Sequence, residues 1–397
     1  MLSVSLLFYN CKKHKENKVD PDMEYYRFVN TETIQNDLVP LDMVRTEDQG
    51  FLFLGSSPED EMLFHRTYLL KLDKEGKFLW DKYLEKEFLN PVSELMFRNG
   101  AYYIFCMDEL TGTYLVKINH ENGASESVKY FEDIRMPLHG SATPDGGFLV
   151  LSVNLGDKIT EFRKLNSGLN LTWKEKSEFP YEDNSALNDK LNNHINHNLK
   201  PLPFFTGTVS GSNASYYFNG LSGTDFTTLF VNQATGKADG IMILGNKTNA
   251  AVRYLLPLDG YRFTMCRYDA TGINYFTPSI LITEVKASTE MGGQKFADME
   301  PESRVLCRRH TIAGSDVIIY AANSRNKGVG LYAFEANSGA YLGSKVLSLE
   351  SPCEMGGFAP TADGGIAVIA KTYVTNRFPR VLVFKLNEEE TKRLVGK

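Results

Sequence analysis

The chain repeats itself, and the repeat limits what it can fold into more than any other feature. Each copy is a tight turn, an apolar strand, a polar gap, a second apolar strand ending in Lys-Leu-Asp or a similar run, a glycine turn and a last strand. The fullest copy starts at Asp48 and reads DQGFLFLG, then TYLLKLDKEGKFLWDKYL. NGAYYIFC with TYLVKINHENGASESVKYF follows, and then DGGFLVLSV with ITEFRKLNSGLNLTWKE. A degenerate fourth copy, NASYYFNGL with TTLFVNQATGKADGIMIL, precedes DGYRFTMC with PSILITEV. GSDVIIYAA with VGLYAFEANSGAYLGSKVL and DGGIAVIAK with RVLVFKLNEEETKRLV complete the set. The turn residues Gly50, Gly100, Gly146, Asn213, Gly260, Gly314 and Gly364 recur mostly about every 50 residues.

A repeat of this length with four strand-like runs predicts an all-β fold, a β-propeller. One four-stranded sheet cannot bury both of its faces alone. Arranged radially, each sheet buries a face against each neighbour, so strands such as GFLVLSV and GIAVIAK are apolar almost throughout instead of alternating. The Asp-Gly and Asn-Gly pairs supply the positive-φ residues that tight hairpins require. The count predicts seven blades of four antiparallel strands, with six or eight as alternatives because the fourth and fifth copies are blurred. EYYRFVNTE, Glu24 to Glu32, reads as an extra strand. It is expected to pair with the last blade, whose own final strand after Leu386 is poor. Residues 24–397 then form one propeller domain. The 25 Phe and 20 Tyr agree with a strand-rich chain. A net charge of −6 argues against a nucleic-acid partner.

The blocks YLLKLDKEGKFLW, YLVKINHENG, RKLNSGLNLTW and YAFEANSGAYLG, with PDGGFLVL and ADGGIAVI, resemble the quinoprotein-like and related propeller repeats of bacterial envelope proteins. The resemblance covers most of the chain and implies architecture, not activity. Only Trp80 and Trp173 fall where the tryptophan-docking pattern of quinoprotein dehydrogenases would place them. No cofactor is carried over.

The amino terminus predicts an address. MLSVSLLFYN, residues 1–10, is too short to span a bilayer and fits the end of a secretory apolar region that stops at Cys11. It resembles a bacterial lipoprotein signal, with lipid on Cys11. Leu7 lies at −4, Phe8 stands where leucine is usual, and Asn10 replaces the usual small residue. Residues 11–23 then form a lipidated tether, rich in polar side chains. The expected location is the cell envelope, at a periplasmic face or the cell surface. Of the other cysteines, Cys106 and Cys266 end apolar strands and read as small buried hydrophobes; no CxxC pair exists.

No nucleophile elbow, P-loop, HExxH or dinucleotide fingerprint is present. GTVSGSNAS around Ser210 reads as a turn between strands, because a phosphate loop would need a following lysine and helix. His194 and His197 lie in the largest insertion, residues 182–200. A short helix would put both imidazoles on one face, but no third metal ligand is evident. They read as solvated side chains of an exposed capping loop, and no metal is expected. Glu59, Asp60 and Glu61, and Glu388 to Glu390, read as solvated surface. Arg308, Arg309 and His310 read as rim charges, with a channel-facing anion site as the alternative. Tyr25, Tyr26, Tyr102, Tyr103, Tyr216 and Tyr217 are expected between blades, or on a loop face stacked on sugars.

No catalytic residue is assigned. The reading favours a non-catalytic, lipid-anchored propeller that binds an envelope protein or glycan. A glycan hydrolase or lyase with its site at the channel mouth, or a structural subunit of an envelope complex, are the alternatives.

Overall fold

A computed structural model describes residues 25–28, 38–58, 64–178, 185–197, 201–211, 214–222, 225–245, 250–374 and 378–397. Residues 1–24, Cys11 among them, and Glu59, Asp60 and Glu61 lie outside the described residues. The described strands form seven sheets, six of them four-stranded and antiparallel, and the chain is a seven-bladed β-propeller. The inner strands are Val39–Arg45, Met96–Arg98, Pro137–Ala142, Phe205–Val209, Ala251–Asp259, Val305–Ile312 and Cys353–Pro360, for blades 1 to 7.

The apolar strands have partners on both faces. In Phe51–Ser57 of blade 1, Phe51 and Phe53 pack with Ile369, Val381 and Val383 of blade 7. The intervening Leu52 and Leu54 pack with Ile104, Cys106 and Val116 of blade 2. All four are fully buried, each side chain contributing about 1.5–3 kcal/mol of transfer free energy. The period of two survives, but both of its phases are apolar because both faces are covered.

Closure follows the expectation from the amino terminus. Tyr25–Phe28 pairs antiparallel with Phe378–Leu386, in the register Tyr25 to Lys385 and Phe28 to Leu382, and forms the outer strand of blade 7. The segment after Leu386 is not a strand. Asn387 caps helix α2, Glu388–Leu394, through the Glu390 amide, and Glu390 returns the bond to the Asn387 amide.

The blurred fourth and fifth copies have a structural cause. Blade 5 has an outer strand of only two residues, Gln294–Lys295. The preceding Val285–Ala287 joins blade 4 instead, parallel to Ala238–Leu244. Blade 4 therefore has five strands.

Both tryptophans dock on the next blade. The Trp80 indole donates to the Glu121 carbonyl at 3.0 Å, with its ring against Gly123 at φ +69°. Trp173 donates to the Gln233 carbonyl at 3.0 Å, with its ring against Gly236 at φ +70°. The turn needs a left-handed residue and the ring needs room, so glycine meets both demands.

Candidate functional site: the channel mouth

The inner strands begin at one mouth of the central channel. A cavity of about 470 Å³ opens there, lined from blades 1, 2, 3, 6 and 7 and from helix α1, Ser185–Ile195. Its walls mix apolar groups, such as Leu41, Val92, Leu138 and Met355, with Arg304, Lys371, Glu300 and Glu354. A smaller cavity of about 60 Å³ continues past Glu94, His139 and Tyr254, and Arg304 borders both.

Below the mouth lies a cluster of charges from distant parts of the chain. Asp42, 2% exposed, accepts from Arg308 Nη2 at 3.0 Å and from the Leu95 amide at 2.8 Å. Burial still raises its pKa above the ordinary carboxylate value; Arg308 works against that rise and Glu94 adds to it. Glu94 has a third of its side-chain surface open, and that surface faces the channel. Burial alone would raise its pKa. The nearby His139, with Arg308 and Arg304, outweighs it and holds the carboxyl below its usual value. His139 Nδ1 lies 3.1 Å from the Thr206 amide nitrogen, and its Nε2 lies 3.6 Å from Glu94 Oε1. Glu94 has φ +92°, an uncommon conformation for a side chain of this size.

The Arg-Arg-His run divides as strand geometry dictates. Arg308 points into the channel. Arg309 points the other way, onto an ion pair with Asp316 and the Leu258 carbonyl, 2.9 Å from its Nη1. His310 returns to the side of Arg308, its ring 6.0 Å from Phe358. The rim reading holds for Arg309 and is corrected for Arg308, because adjacent residues of a strand face opposite sides.

The histidine pair is also corrected. His194 ends helix α1 and His197 follows it, as a helical reading of the insertion implies, but neither is solvated on an outer surface. Both border the channel cavity. His194 Nδ1 accepts the Leu202 amide at 3.1 Å, and His197 Nε2 donates to the Pro91 carbonyl at 3.0 Å. Burial, with the neighbouring imidazoles and Arg304 adding to it, lowers their pKa values to about 4 and about 3. Helix α1 thus covers part of the mouth with two neutral imidazoles. Among the described residues no group of three His, Cys, Asp or Glu side chains is placed to hold a metal ion.

The remaining expectations concern packing. Ser210 lies between the strands Phe205–Val209 and Ser215–Ser222. Tyr217 packs between blades 4 and 5 against Phe263, Tyr216 against Trp173 of blade 3, and Tyr103 against Phe148 of blade 3. Cys106, Cys266, Cys307 and Cys353 are free and buried. Asp42, Glu94, His139 and Arg304 carried no signal in the sequence. They lie in unrelated local contexts and meet only when the ring closes.

No protein-family model matches the chain, and no curated protein matches it. Solved structures do. The Pyrococcus horikoshii acylaminoacyl peptidase matches over 89% of this chain at 9% identity with a TM-score of 0.50. This chain covers 52% of that protein, about half its length. Saccharomyces cerevisiae Sqt1 matches over 91% of this chain and 97% of its own, at 8% identity and a TM-score of 0.49. The β-propeller domain of the Trilobed protease from Pyrococcus furiosus matches over 88% of this chain and 95% of its own, at 8% identity and a TM-score of 0.48. At such identities the likeness is one of fold.

Proposed function

We propose that this propeller is a non-catalytic binding module that receives a protein or glycan partner of the cell envelope at its channel mouth. The observation that carries this reading is the cavity of about 470 Å³, whose apolar and charged walls come from five blades and a covering helix. Its size falls within the ~300–1,000 Å³ range common for ligand pockets. The carboxylates beneath it are engaged within the protein: buried Asp42 by Arg308 and the Leu95 amide, and the partly open Glu94 by the neighbouring His139. A general acid or base has to reach its substrate, and Asp42 is 2% exposed.

Anchoring by lipid at Cys11 belongs to the same proposal and rests on the apolar run that ends there. The test is a pull-down from native envelope extract with the chain from about residue 20 as bait, read for proteins and sugars. A stoichiometric partner lost on substitution of mouth residues is the expected result. Cleaved glycan, or no retained partner, would overturn the binding reading. Separately, Cys11→Ala should release the protein from the membrane fraction, and a variant that stays there refutes the anchor.

A further inference from the structure

We infer that the channel mouth binds a ligand through a single free carboxylate attached to an apolar body, with the Arg304 guanidinium as the anchor. This rests on the binding reading above and names the chemistry of that site.

The two channel arginines differ. Arg308 is used by the fold, since its charge meets Asp42 at 3.0 Å. Arg304 makes a hydrogen bond from Nη1 to the Gly356 carbonyl, a neutral acceptor, at 3.1 Å. Among the described residues no carboxylate lies within ion-pairing distance of Arg304. Its other guanidinium nitrogens are not among the sealed, partnerless atoms, so they open onto the two cavities that Arg304 borders. Asp42 and Glu94 act on this cation only from beyond ion-pairing distance, and a planar fork suits a carboxylate in bidentate contact.

Neighbouring groups define the class further. Lys371, 5% exposed, borders the cavity as well, 5.1 Å from the centre of the Tyr373 ring. Glu354 borders the cavity too and opposes a multiply charged anion. The apolar walls suit a hydrocarbon side chain. A carboxylate with an aliphatic body satisfies all of these, and a phosphate does not.

Calorimetric titration of the full chain tests the inference with four probes: acetyl-Ala-Leu-Leu with a free carboxylate, the same peptide as its amide, hexanoate and inorganic phosphate. The free acid should bind about tenfold or more tighter than the amide. Hexanoate binding as well as the peptide acid identifies a small acid; much weaker binding identifies a chain terminus. Arg304→Gln should abolish the preference for acid over amide, and Arg304→Lys should keep part of it. Arg309→Gln, on the outer ion pair, should leave it intact. Equal binding of acid and amide, binding of neither, phosphate binding as tightly as the acid, or an unchanged preference in Arg304→Gln would overturn the inference. If Arg304→Gln does not fold, the wild-type preference and Arg304→Lys decide. An envelope partner retained without any carboxylate preference removes this inference and leaves the binding reading. Acid-selective titration with no envelope partner does the reverse.

Discussion

Lys164 Nζ lies 2.9 Å from Asp145 Oδ1, across 19 residues of chain, and this contact closes the turn that opens blade 3. The ammonium, 3% exposed, also donates to Thr143 Oγ1 at 3.0 Å and to the Leu165 carbonyl at 2.9 Å. Blade 1 repeats the arrangement with Lys71, Thr46, Asp48 and the Leu72 carbonyl. Blade 7 keeps it in part, with Lys385 3.0 Å from Asp363 and Thr361 bonded to that carboxylate. A buried lysine is tolerable here because each of its donors has an acceptor.

Glycine is required beside this clasp. A Cβ at Gly147 would run into the Leu165 carbonyl and Lys164 Nζ. Gly147→Ala is therefore expected to lower stability by about 2 kcal/mol or more. Lys164→Met removes the donor from Thr143 and Asp145 and should cost about 1–3 kcal/mol. Urea unfolding of both variants checks this; midpoints within error of wild type would refute the clasp.

The pH dependence should have two windows. Burial of Asp48 acts to raise its pKa, but bonds from Thr46, Lys71 and the Gly50 amide overcome it, and the value falls from 3.8 to about 2. Its stabilisation is present above the unfolded pKa of about 4 and is lost as pH falls through about 2. His194 and His197 act at higher pH. The unfolded chain takes up their protons near 6.5, whereas the folded chain resists until about 4 and about 3. Stability should thus already decline as pH drops below about 6.5. Urea midpoints against pH should flatten in the upper window for His197→Asn and in the lower one for Asp48→Asn. A parallel offset at every pH would contradict the assignment.

Removing the closing strand should open the ring. A chain starting at residue 38 lacks Tyr25–Phe28 and leaves Phe378–Leu386 as an unpaired edge. Lower thermal stability and concentration-dependent association are expected, since an exposed apolar edge recruits other strands. Unchanged melting and a monomeric elution profile would show that the strand is dispensable.

The tryptophan docks offer a test with its own optical signal. Trp173 is half-buried, so Trp173→Ala should cost about 2 kcal/mol, less than a fully buried tryptophan. A Cβ at Gly236 would clash with the Trp173 ring, so Gly236→Ala should destabilise as well and alter the indole emission. An unaltered spectrum together with an unaltered urea midpoint would argue against the dock.

Much of the architecture was legible in the sequence because each blade is coded locally. The hairpin turns, the doubly apolar strands and the lysines of each Lys-Leu-Asp-type run lie within one repeat, so counting repeats led to seven blades, with six or eight left open, and the extra strand read in EYYRFVNTE is the one that closes the ring. The shift of Val285–Ala287 to blade 4 was not legible, because three residues carry no pairing preference strong enough to read.

The channel is another matter. Sequence showed that Arg308, Arg309 and His310 were adjacent, but only strand orientation decided that Arg308 faces inward and Arg309 outward. Asp42 and Arg308 are separated by 266 residues, yet they form one ion pair. His194 and His197 looked like solvent-exposed side chains until helix α1 was set across the mouth. Repeat period and hydrophobic pattern act between neighbours in sequence, and they determined the blades. Burial, charge pairing and the mouth cavity depend on inner strands from all round the ring meeting at one axis, and only the tertiary structure decided those.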